Sequence, residues 1–517
     1  MPGTPSTDLS PELLGHMLAI KSKAQEYGLD FHEVIFEVLP FDMMNQIAAY
    51  GGFPVRYPHW RFGMEYEKLS KRDAYGLGRI YEMVINTDPV YAYLQESNGV
   101  TDQKLVMSHV YGHADFFKNN AWFSKTNRKM LDEMANHSTR VRRYIDQHGG
   151  DVVEHFIDAC LSLESLIDTH SQFVKRDQSP SDRGGGGGSE GRTAYEPERF
   201  PAKDYMEPFI NPQDVLRRQK EAHMEQVRAA RGRLPERPDR DVLAFLIRHA
   251  PLEEWQRDVL SIVREEAYYF VPQAMTKIMN EGWASYWHSK LMTRHFCEAS
   301  EIIHYCDQHS GVIHMPDGGF NPYKIGIELW KDIERRWDTG QHGPAWERLD
   351  GVGDRAAFDD SSGQGREKIF QVRRVYNDVM FVDEFLTEEF VTKHRMYQTK
   401  KDEQTGEARI ASHEYQKVKQ TLLHYLTNRG EPFIYVVDGN YLNRGELYLA
   451  HQFSGLEIEA ARAGEVLRAL RMLWGRPVHL QMRVRDEMCV LTCEEPGGDI
   501  KNDRIGEDTP KPAHMVT

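Results

Sequence analysis

The chain has 517 residues, of which 40% are hydrophobic and 28% are charged, and its formal net charge at pH 7 is −15. This composition is typical of a globular protein with a large core, and the negative charge disfavours a general nucleic-acid or anionic-membrane surface. No apolar run approaches the ~20 residues that cross a bilayer, and we expect no signal peptide. The five cysteines are odd in number and form no C-x-x-C pair, which favours a reducing, cytoplasmic location.

The first third of the chain has helical patterns. We expect residues 1–10 to be disordered and residues 11–174 to form the first part of a helical body. Within that body, the pattern over residues 66–96 predicts a helix interrupted by one turn. Residues 103–118 are predicted to form a further, apolar-rich helix.

A change of composition interrupts the helical body at residues 175–211. Five consecutive glycines with serine, proline and charged neighbours cannot build a core, and such a stretch is typical of a flexible linker or insertion. Helical patterns return over residues 212–338, the second part of the predicted body. The Gly- and Asp-rich residues 339–368 predict another linker.

Short apolar segments typical of strands appear after this second linker. They alternate with one helical pattern over residues 458–473, and we predict a C-terminal α/β (α+β) domain over residues 369–496. The segments are residues 432–437, 447–451, 478–482 and 488–493. Residues 497–517 are predicted to be a disordered tail. The predicted fold is therefore mainly α, with a large helical body and a smaller C-terminal α/β domain.

Two histidines four residues apart give the clearest chemical signal. His109 and His113 would lie on one helix face, where two imidazoles can converge on one cation, as in zinc proteases. The alternative is a pair of hydrogen-bonded core histidines, since Phe116 and other neighbours are apolar. Gly112, between them, disfavours a helix but permits the close approach of a ligand or another helix.

A second, aromatic-rich segment offers a carboxylate for the same site. Glu281 and His288 share one helical stripe, and a buried glutamate is costly unless it is paired or bound to a cation. The alternative is a solvated face. The two residues are about 10.5 Å apart along the helix axis, too far for both to bind one zinc ion. We therefore predict Glu281 as the third metal ligand and His288 as a residue for substrate contact or proton transfer.

Two further groups complete the predicted site. Glu265 and Glu266 precede two tyrosines, and since only one of two adjacent residues can face the site, we assign Glu266 as the general base; an exposed acidic pair is the alternative. Asn119, Asn120 and Trp122 are predicted to line the cleft, because an amide pair beside an aromatic ring suits a polar ligand with an apolar face. No P-loop motif occurs.

Five long stretches resemble the stage V sporulation protein R (SpoVR) family. They are residues 109–120 (HVYGHADFFKNN), 264–288 (REEAYYFVPQAMTKIMNEGWASYWH), 319–326 (GFNPYKIG), 437–447 (VDGNYLNRGEL) and 473–480 (LWGRPVHL). The resemblance implies a cytoplasmic bacterial protein, linked to the spore cortex in spore formers and to stress or stationary-phase physiology elsewhere. It also implies two partners, a serine protein kinase and a von Willebrand A-type protein, but it brings no settled activity.

Residues 280 and 281, Asn-Glu followed by small residues, also resemble the helix that supplies the third zinc ligand in gluzincin peptidases. Two hypotheses follow. In the first, the protein is a metal-dependent hydrolase that cleaves an amide bond in a peptide or cell-wall precursor, with zincin-like helices presenting His109, His113 and Glu281 to a divalent ion, predicted to be zinc. In the second, it is a non-catalytic regulatory or assembly protein of the kinase system, whose histidines and acids form a buried polar network.

Overall fold

The computed structural model describes residues 9–74, 82–174, 206, 211–230, 234–316, 319–401, 408–485 and 487–505. Helices predominate in these ranges, and the C-terminal part contains a five-stranded sheet, so the predicted mainly α fold with a smaller C-terminal sheet domain is confirmed. Within all the described ranges, no helix has both the length and the apolar character that a membrane crossing requires.

The helices, in chain order, are α1 (Pro11–Glu26), α2 (Phe41–Ala49), α3 (Trp60–Ala74), α4 (Val100–Asn119), α5 (Met130–His148), α6 (Gly150–Leu161), α7 (Gln213–Ala230), α8 (Val242–His249), α9 (Glu254–Met275), α10 (Lys277–Leu291), α11 (Ile302–Val312), α12 (Pro322–Asp338), α13 (Gly343–Glu347), α14 (Val352–Ala357), α15 (Gly365–Val375), α16 (Asp378–Phe385), α17 (Glu388–Lys393), α18 (Tyr415–Leu426) and α19 (Ala460–Trp474). The strands are β1 (Val34–Leu39), β2 (Glu82–Ile85), β3 (Val90–Gln95), β4 (Gln398–Lys401), β5 (Ala408–Ser412), β6 (Phe433–Tyr441), β7 (Glu446–Gln452), β8 (Val478–Val484), β9 (Glu487–Cys493) and β10 (Ile500–Arg504).

The chain divides into two compact units. The first unit combines Met1–Glu154 with Tyr268–Glu431, and the second combines His155–Ala267 with Pro432–Thr517. The sequence patterns predict a different division, with residues 212–338 in one helical body and the C-terminal domain over residues 369–496. The difference arises because packing between distant segments, which a local pattern does not show, decides which helices join a sheet.

The first unit is built around three closely packed helices, α4, α10 and α12. Glycines allow these helices to approach: a Cβ on Gly112 would lie 2.6 Å from the Cα atom of Ala284, and a Cβ on Gly282 would clash with the backbone of Gly326. The large rings of α10 and α12 fill the surrounding core, and Trp283 and Trp330 are fully buried there. The glycine that the sequence analysis noted between the two histidines therefore serves the approach of a second helix.

Two buried aspartates fix this helix packing. Asp378, at the start of α16, accepts hydrogen bonds from the backbone N–H groups of Ile278 and Met279 at 2.8 and 2.9 Å, and so caps α10. Asp115, on α4, accepts from the indole of Trp283 at 2.8 Å and pairs with Arg373 of α15 at 3.1 Å. Burial raises the pKa of Asp378 to about 7 and that of Asp115 to about 6.

A three-stranded sheet, in the order β1-β3-β2, lies beside these helices. The prediction of helix over residues 66–96 is therefore wrong for residues 82–85 and 90–95, which form β2 and β3; residues 75–81 lie outside the described ranges. Strand β3 pairs with β1 on one side and β2 on the other, and nearly all its side chains are buried. A strand buried on both faces has no alternating pattern, and periodicity does not separate it from a buried helix.

In the second unit, helix α8 packs on a five-stranded sheet of order β10-β9-β8-β7-β6. The ring of Phe245, on α8, stacks on that of Trp474, on α19, with the ring centroids 5.7 Å apart. Asp239, just before α8, exchanges backbone hydrogen bonds with Val436 of β6. The parallel strands β7 and β8 are joined through α19, whereas the other neighbouring pairs are antiparallel.

The predicted termini and linkers fall largely outside the described ranges. Most of the predicted linker 175–211, residues 1–8 of the N-terminus and residues 506–517 of the tail are in this position. The predicted disorder of the tail is wrong for residues 500–504, because they form β10 and pair with β9. The predicted linker 339–368 contains the short helices α13 and α14.

Candidate metal centre

The structure brings His109, His113 and Glu281 together in the buried interior of the first unit. Helix α4 presents both imidazoles to α10, and the Oε2 atom of Glu281 lies 3.6 Å from Nε2 of His109 and 3.4 Å from Nε2 of His113. One nitrogen or oxygen atom from each of the three residues lies within 4.8 Å of the others. The spacing of four residues on one helix therefore has the result that the sequence predicted: both rings face one carboxylate.

These distances fit a metal ion. In a tetrahedral site with bonds of ~2.0–2.2 Å, neighbouring ligand atoms lie about 3.3–3.6 Å apart. The two distances from Oε2 of Glu281 to the imidazole nitrogens match that separation. Two imidazoles and one carboxylate are also the donor set of catalytic zinc sites, in which a fourth position is left for water or substrate. The residues present therefore suit a divalent metal.

The rear atom of each of these three side chains has its own partner. Nδ1 of His113 lies 3.0 Å from Oδ1 of Asn280, and because the amide oxygen only accepts, Nδ1 carries a proton and Nε2 is the nitrogen available to a metal. The other carboxylate oxygen of Glu281, Oε1, accepts a hydrogen bond from the ammonium of Lys277 at 2.6 Å. Such contacts orient metal ligands and increase their affinity for the ion.

His109 is the first of three imidazoles in a hydrogen-bonded chain, and the other two support it. Its Nδ1 lies 2.8 Å from Nδ1 of His288, and Nε2 of His288 lies 3.0 Å from Nδ1 of His309, on α11. Burial, together with the charges of His109 and His309, lowers the pKa of His288 well below its usual value, and burial lowers that of His309 to about 4. Both rings are thus neutral at pH 7. When His109 donates from Nδ1, His288 accepts and donates in turn to His309, which leaves Nε2 of His109 free as a metal ligand.

Glu281 is ionised in this environment. Burial alone would raise its pKa, but the charge of His113, hydrogen bonds from both histidines and the charge of Lys277 hold the pKa well below its usual value. A buried carboxylate that stays ionised is a strong ligand for a cation. The protons on the facing imidazole nitrogens would leave when a metal binds.

The structure places His288, one of the two predicted proton-transfer residues, on the side of the His109 ring that faces away from Glu281. Nδ1 of His288 contacts Nδ1 of His109, whereas the other nitrogen of His109, Nε2, faces Glu281. The spacing along α10 predicts that His288 is too far from Glu281 to share an ion with it, and the ring of His109 lies between the two side chains. Glu266 is a buried residue of α9 in the second unit.

The predicted cleft residues lie at the C-terminal end of α4, where Asn119 is six residues or about 9 Å along the axis from His113. The side-chain amide of Asn119 donates to the backbone of Asp30, and that of Asn120 donates to the backbone of Arg373 and Tyr376. These contacts join α4 to neighbouring segments. The indole of Trp122 donates to the backbone carbonyl of Val375, the last residue of α15, at 3.3 Å. A role for these three residues in substrate binding stays a prediction.

Sequence reasoning missed four residues of the centre. Lys277 and Asn280 could have been found, because one lies a helical turn before Glu281 and the other is its neighbour on α10. His309 and Tyr323, whose ring lies nearly parallel to that of His109 at 6.4 Å, come from other helices and have no local signal. Their contacts depend on the packing of α11 and α12 against α4 and α10.

Comparisons with known proteins agree with this organisation. The family model described as "SpoVR like protein" matches residues 10–431, and that described as "SpoVR-like C-terminal domain" matches residues 432–484. A relative in Escherichia coli (strain K12), "Uncharacterized protein YcgB", is 30% identical over 512 residues, which is 93% of each chain. No solved structure matches the chain. The boundary between the two family models coincides with the point, 431/432, at which the chain enters the second unit for the last time.

Proposed function

The chain belongs to the SpoVR family, and we propose that it is a metal-dependent hydrolase that cleaves an amide bond, with His109, His113 and Glu281 as the metal ligands. The observation that carries this proposal is the position of one carboxylate oxygen 3.4 and 3.6 Å from two imidazole nitrogens, the separation of ligand atoms around tetrahedral zinc. We propose zinc as the ion, because this donor set suits it.

The protein's own residues prepare the site for this chemistry. A bound zinc ion supplies an acidified water and polarises a carbonyl group. Asn280 and His288 hold the two imidazoles with Nε2 facing inward, and Lys277 occupies Oε1 of Glu281, so that Oε2 alone faces the ion. Fixing the ligands before substrate arrives lowers the cost of reaching the reactive geometry.

The remaining predicted roles rest on the sequence. Glu266 is the proposed general base, and Asn119, Asn120 and Trp122 are proposed to contact the substrate. His288 is proposed to act through His109, since both of its ring nitrogens contact other imidazoles. We propose a peptide or a cell-wall precursor as the substrate, because the family resemblance links these proteins to the spore cortex.

The proposed setting follows from the family. We propose a cytoplasmic bacterial protein with a role in spore cortex formation or in stress and stationary-phase physiology, working with a serine protein kinase and a von Willebrand A-type protein. All five cysteines are free thiols, which supports a reducing compartment.

One observation favours the alternative, a non-catalytic regulatory or assembly protein of the kinase system. Each side chain of the centre already has protein partners: Glu281 contacts Lys277 through Oε1 and both histidines through Oε2. A buried polar network of this kind can fix helix packing without a metal. The two functions predict different results in the following experiment.

The test is a hydrolysis assay with zinc-reconstituted full-length protein, in which peptidoglycan stem peptides and a mixture of peptides are analysed for new amines by mass spectrometry. We expect cleavage that is lost in Glu281→Gln and kept in Glu328→Gln. Glu328 is a matched control, because it also pairs with a lysine four residues earlier, at 3.4 Å, and its side chain is mostly buried. One bound equivalent of zinc without cleavage of any of these substrates would overturn the hydrolase and favour the regulatory protein.

A further inference from the structure

Lys277 differs from the other members of the centre in its exposure. The side chains of His109, His113 and Glu281 are 7, 8 and 10% exposed, whereas that of Lys277 is 55% exposed. Its ammonium nevertheless lies 2.6 Å from Oε1 of Glu281. One carboxylate therefore connects a solvent-facing cation to the buried histidine pair, which places Lys277 where a ligand entering from solvent would meet it.

An aromatic ring stands beside this lysine. The ammonium of Lys277 lies 5.8 Å from the ring centroid of Tyr323, and the same ring lies nearly parallel to the imidazole of His109, at an interplanar angle of 19°. Tyr323 thus forms a wall that runs from a proposed metal ligand to the exposed cation. A flat apolar wall and a nearby charge are features of sites for small organic anions.

The charge balance of the site changes when a metal binds. In the metal-free protein, Glu281 is the counter-ion of Lys277, and the pair is neutral. A divalent ion would use the charge of Glu281, and the ion, Glu281 and Lys277 together would then carry two net positive charges. The metal-loaded site is therefore suited to a negatively charged group. This local positive charge contrasts with the net charge of −15 of the whole chain.

The start of α10 narrows the kind of anion. Phosphate sites commonly use the free N–H groups at a helix N-terminus together with several cations. Here the N–H groups of Ile278 and Met279 are bonded to both carboxylate oxygens of Asp378. With these N–H groups occupied, the ammonium of Lys277 is the described group that meets the ligand, and a singly charged carboxylate matches it.

From these contacts, we infer that Lys277 and Tyr323 form a carboxylate subsite beside the metal centre, so that the substrate carries a carboxylate close to the group held by the metal. The inference rests on the proposed function and narrows its substrate class to amides that bear a nearby carboxylate. The ammonium of Lys277 has three donors, and its bond to Glu281 uses one of them.

The test compares two hydroxamate probes, of which one carries a carboxylate at the end of a two-carbon chain. Full-length protein loaded with cobalt(II), whose visible absorption reports on its ligands, is titrated with acetohydroxamate and with the monohydroxamate of succinic acid. We expect the carboxylated probe to bind about tenfold more tightly, the effect of one charge-assisted hydrogen bond. In Lys277→Met, titrated at the same cobalt occupancy, the ratio of the two affinities falls to about one, whatever the change in the affinity for acetohydroxamate, and Lys277→Arg keeps most of the preference.

A matched control is Lys118→Met, which removes an equal charge from α4, where Lys118 pairs with Asp30 at 2.5 Å. This variant is expected to keep the preference. Equal affinity of the cobalt-loaded protein for the two probes would overturn the subsite, as would a preference that survives in Lys277→Met, and the metal centre would remain. Absence of bound cobalt would instead contradict the metal centre itself.

Discussion

At the scale of single residues, the proposed metal ligands depend on partners behind them. Nδ1 of His113 has an amide oxygen, Nδ1 of His109 has a second imidazole, and Oε1 of Glu281 has an ammonium. The sequence pointed to the three ligands because residue type and helical spacing are local properties. The partners were not predicted, since each is an ordinary residue whose role depends on which atom it reaches.

Substitution of Asn280 tests this support. In Asn280→Ala, the proton of Nδ1 on His113 loses its acceptor, and the ring can turn or change tautomer. We expect the affinity for zinc to fall about 10- to 100-fold, the usual effect of losing such a partner. Competition with a chromophoric chelator measures the affinity, and the melting curve of the metal-free variant reports whether its fold is kept. An affinity within threefold of the parent protein would show that the contact does not support the ligand.

Asp378 predicts a dependence of stability on pH. Its pKa in the folded protein is about 7, above the ordinary aspartate value of 3.8, so between about pH 4 and pH 7 the folded protein binds a proton that the unfolded chain has lost. The stabilisation is complete below pH 4 and is lost as the pH rises to 7. Asp378→Asn does not titrate, so the difference in unfolding free energy, parent minus variant, should fall by up to about 4 kcal/mol from pH 4 to pH 8.

Equilibrium unfolding in urea, followed by tryptophan fluorescence, measures this difference at each pH. Other groups titrate in both proteins and cancel in the comparison. A difference that is constant from pH 4 to pH 8 would mean that Asp378 is ionised throughout and that its two backbone hydrogen bonds outweigh its burial.

At the scale of elements, the centre exists because α4 and α10 come close enough for their side chains to meet. The helical pattern of both segments was readable from the sequence, and so was the unusual glycine between the two histidines. The three-stranded sheet was not, because burial of β3 on both faces removes the alternation that identifies a strand. Secondary structure is therefore not predictable from periodicity in segments that are buried on all sides.

Gly112→Ala tests the close approach of the helices. The added Cβ would lie 2.6 Å from the Cα atom of Ala284, a backbone atom that cannot move without its helix. We expect a loss of about 1–3 kcal/mol in stability and weaker zinc binding, because the histidine pair would move away from Glu281. The matched control is Gly15→Ala in α1, where a Cβ meets nothing within 4 Å and should stabilise by up to ~1 kcal/mol. A neutral effect at both glycines would contradict the packing.

At the scale of the whole molecule, the second unit joins segments that are far apart in sequence. The strand patterns after residue 430 predicted four of the five strands of the C-terminal sheet, and β10 lies in the segment that was predicted to be disordered. The packing of α8 against this sheet was not predicted, because the apolar face of a helix does not indicate which element it packs against. The contacts of Phe245 with Trp474 and of Asp239 with Val436 make this packing.

The C-terminal sheet is therefore expected to depend on residues 155–267. A fragment of residues 432–517 would expose Val436 and Trp474, which are buried in the intact unit. We expect this fragment to melt without a cooperative transition, and co-expression with residues 155–267 to restore one. Circular dichroism during heating separates the outcomes. A cooperative transition of the isolated fragment, unchanged by the added segment, would show that the sheet folds without α8.

The central claim is that two histidines of α4 and one glutamate of α10 bind a single divalent ion. The most direct measurement is X-ray absorption at the zinc edge on zinc-loaded full-length protein and on Glu281→Gln. The account predicts one zinc per chain, bound by two imidazole nitrogens and by oxygen at ~2.0–2.2 Å, with loss of the ion in the variant while its fold is kept. Zinc bound to sulfur, or bound equally well by Glu281→Gln, would contradict it.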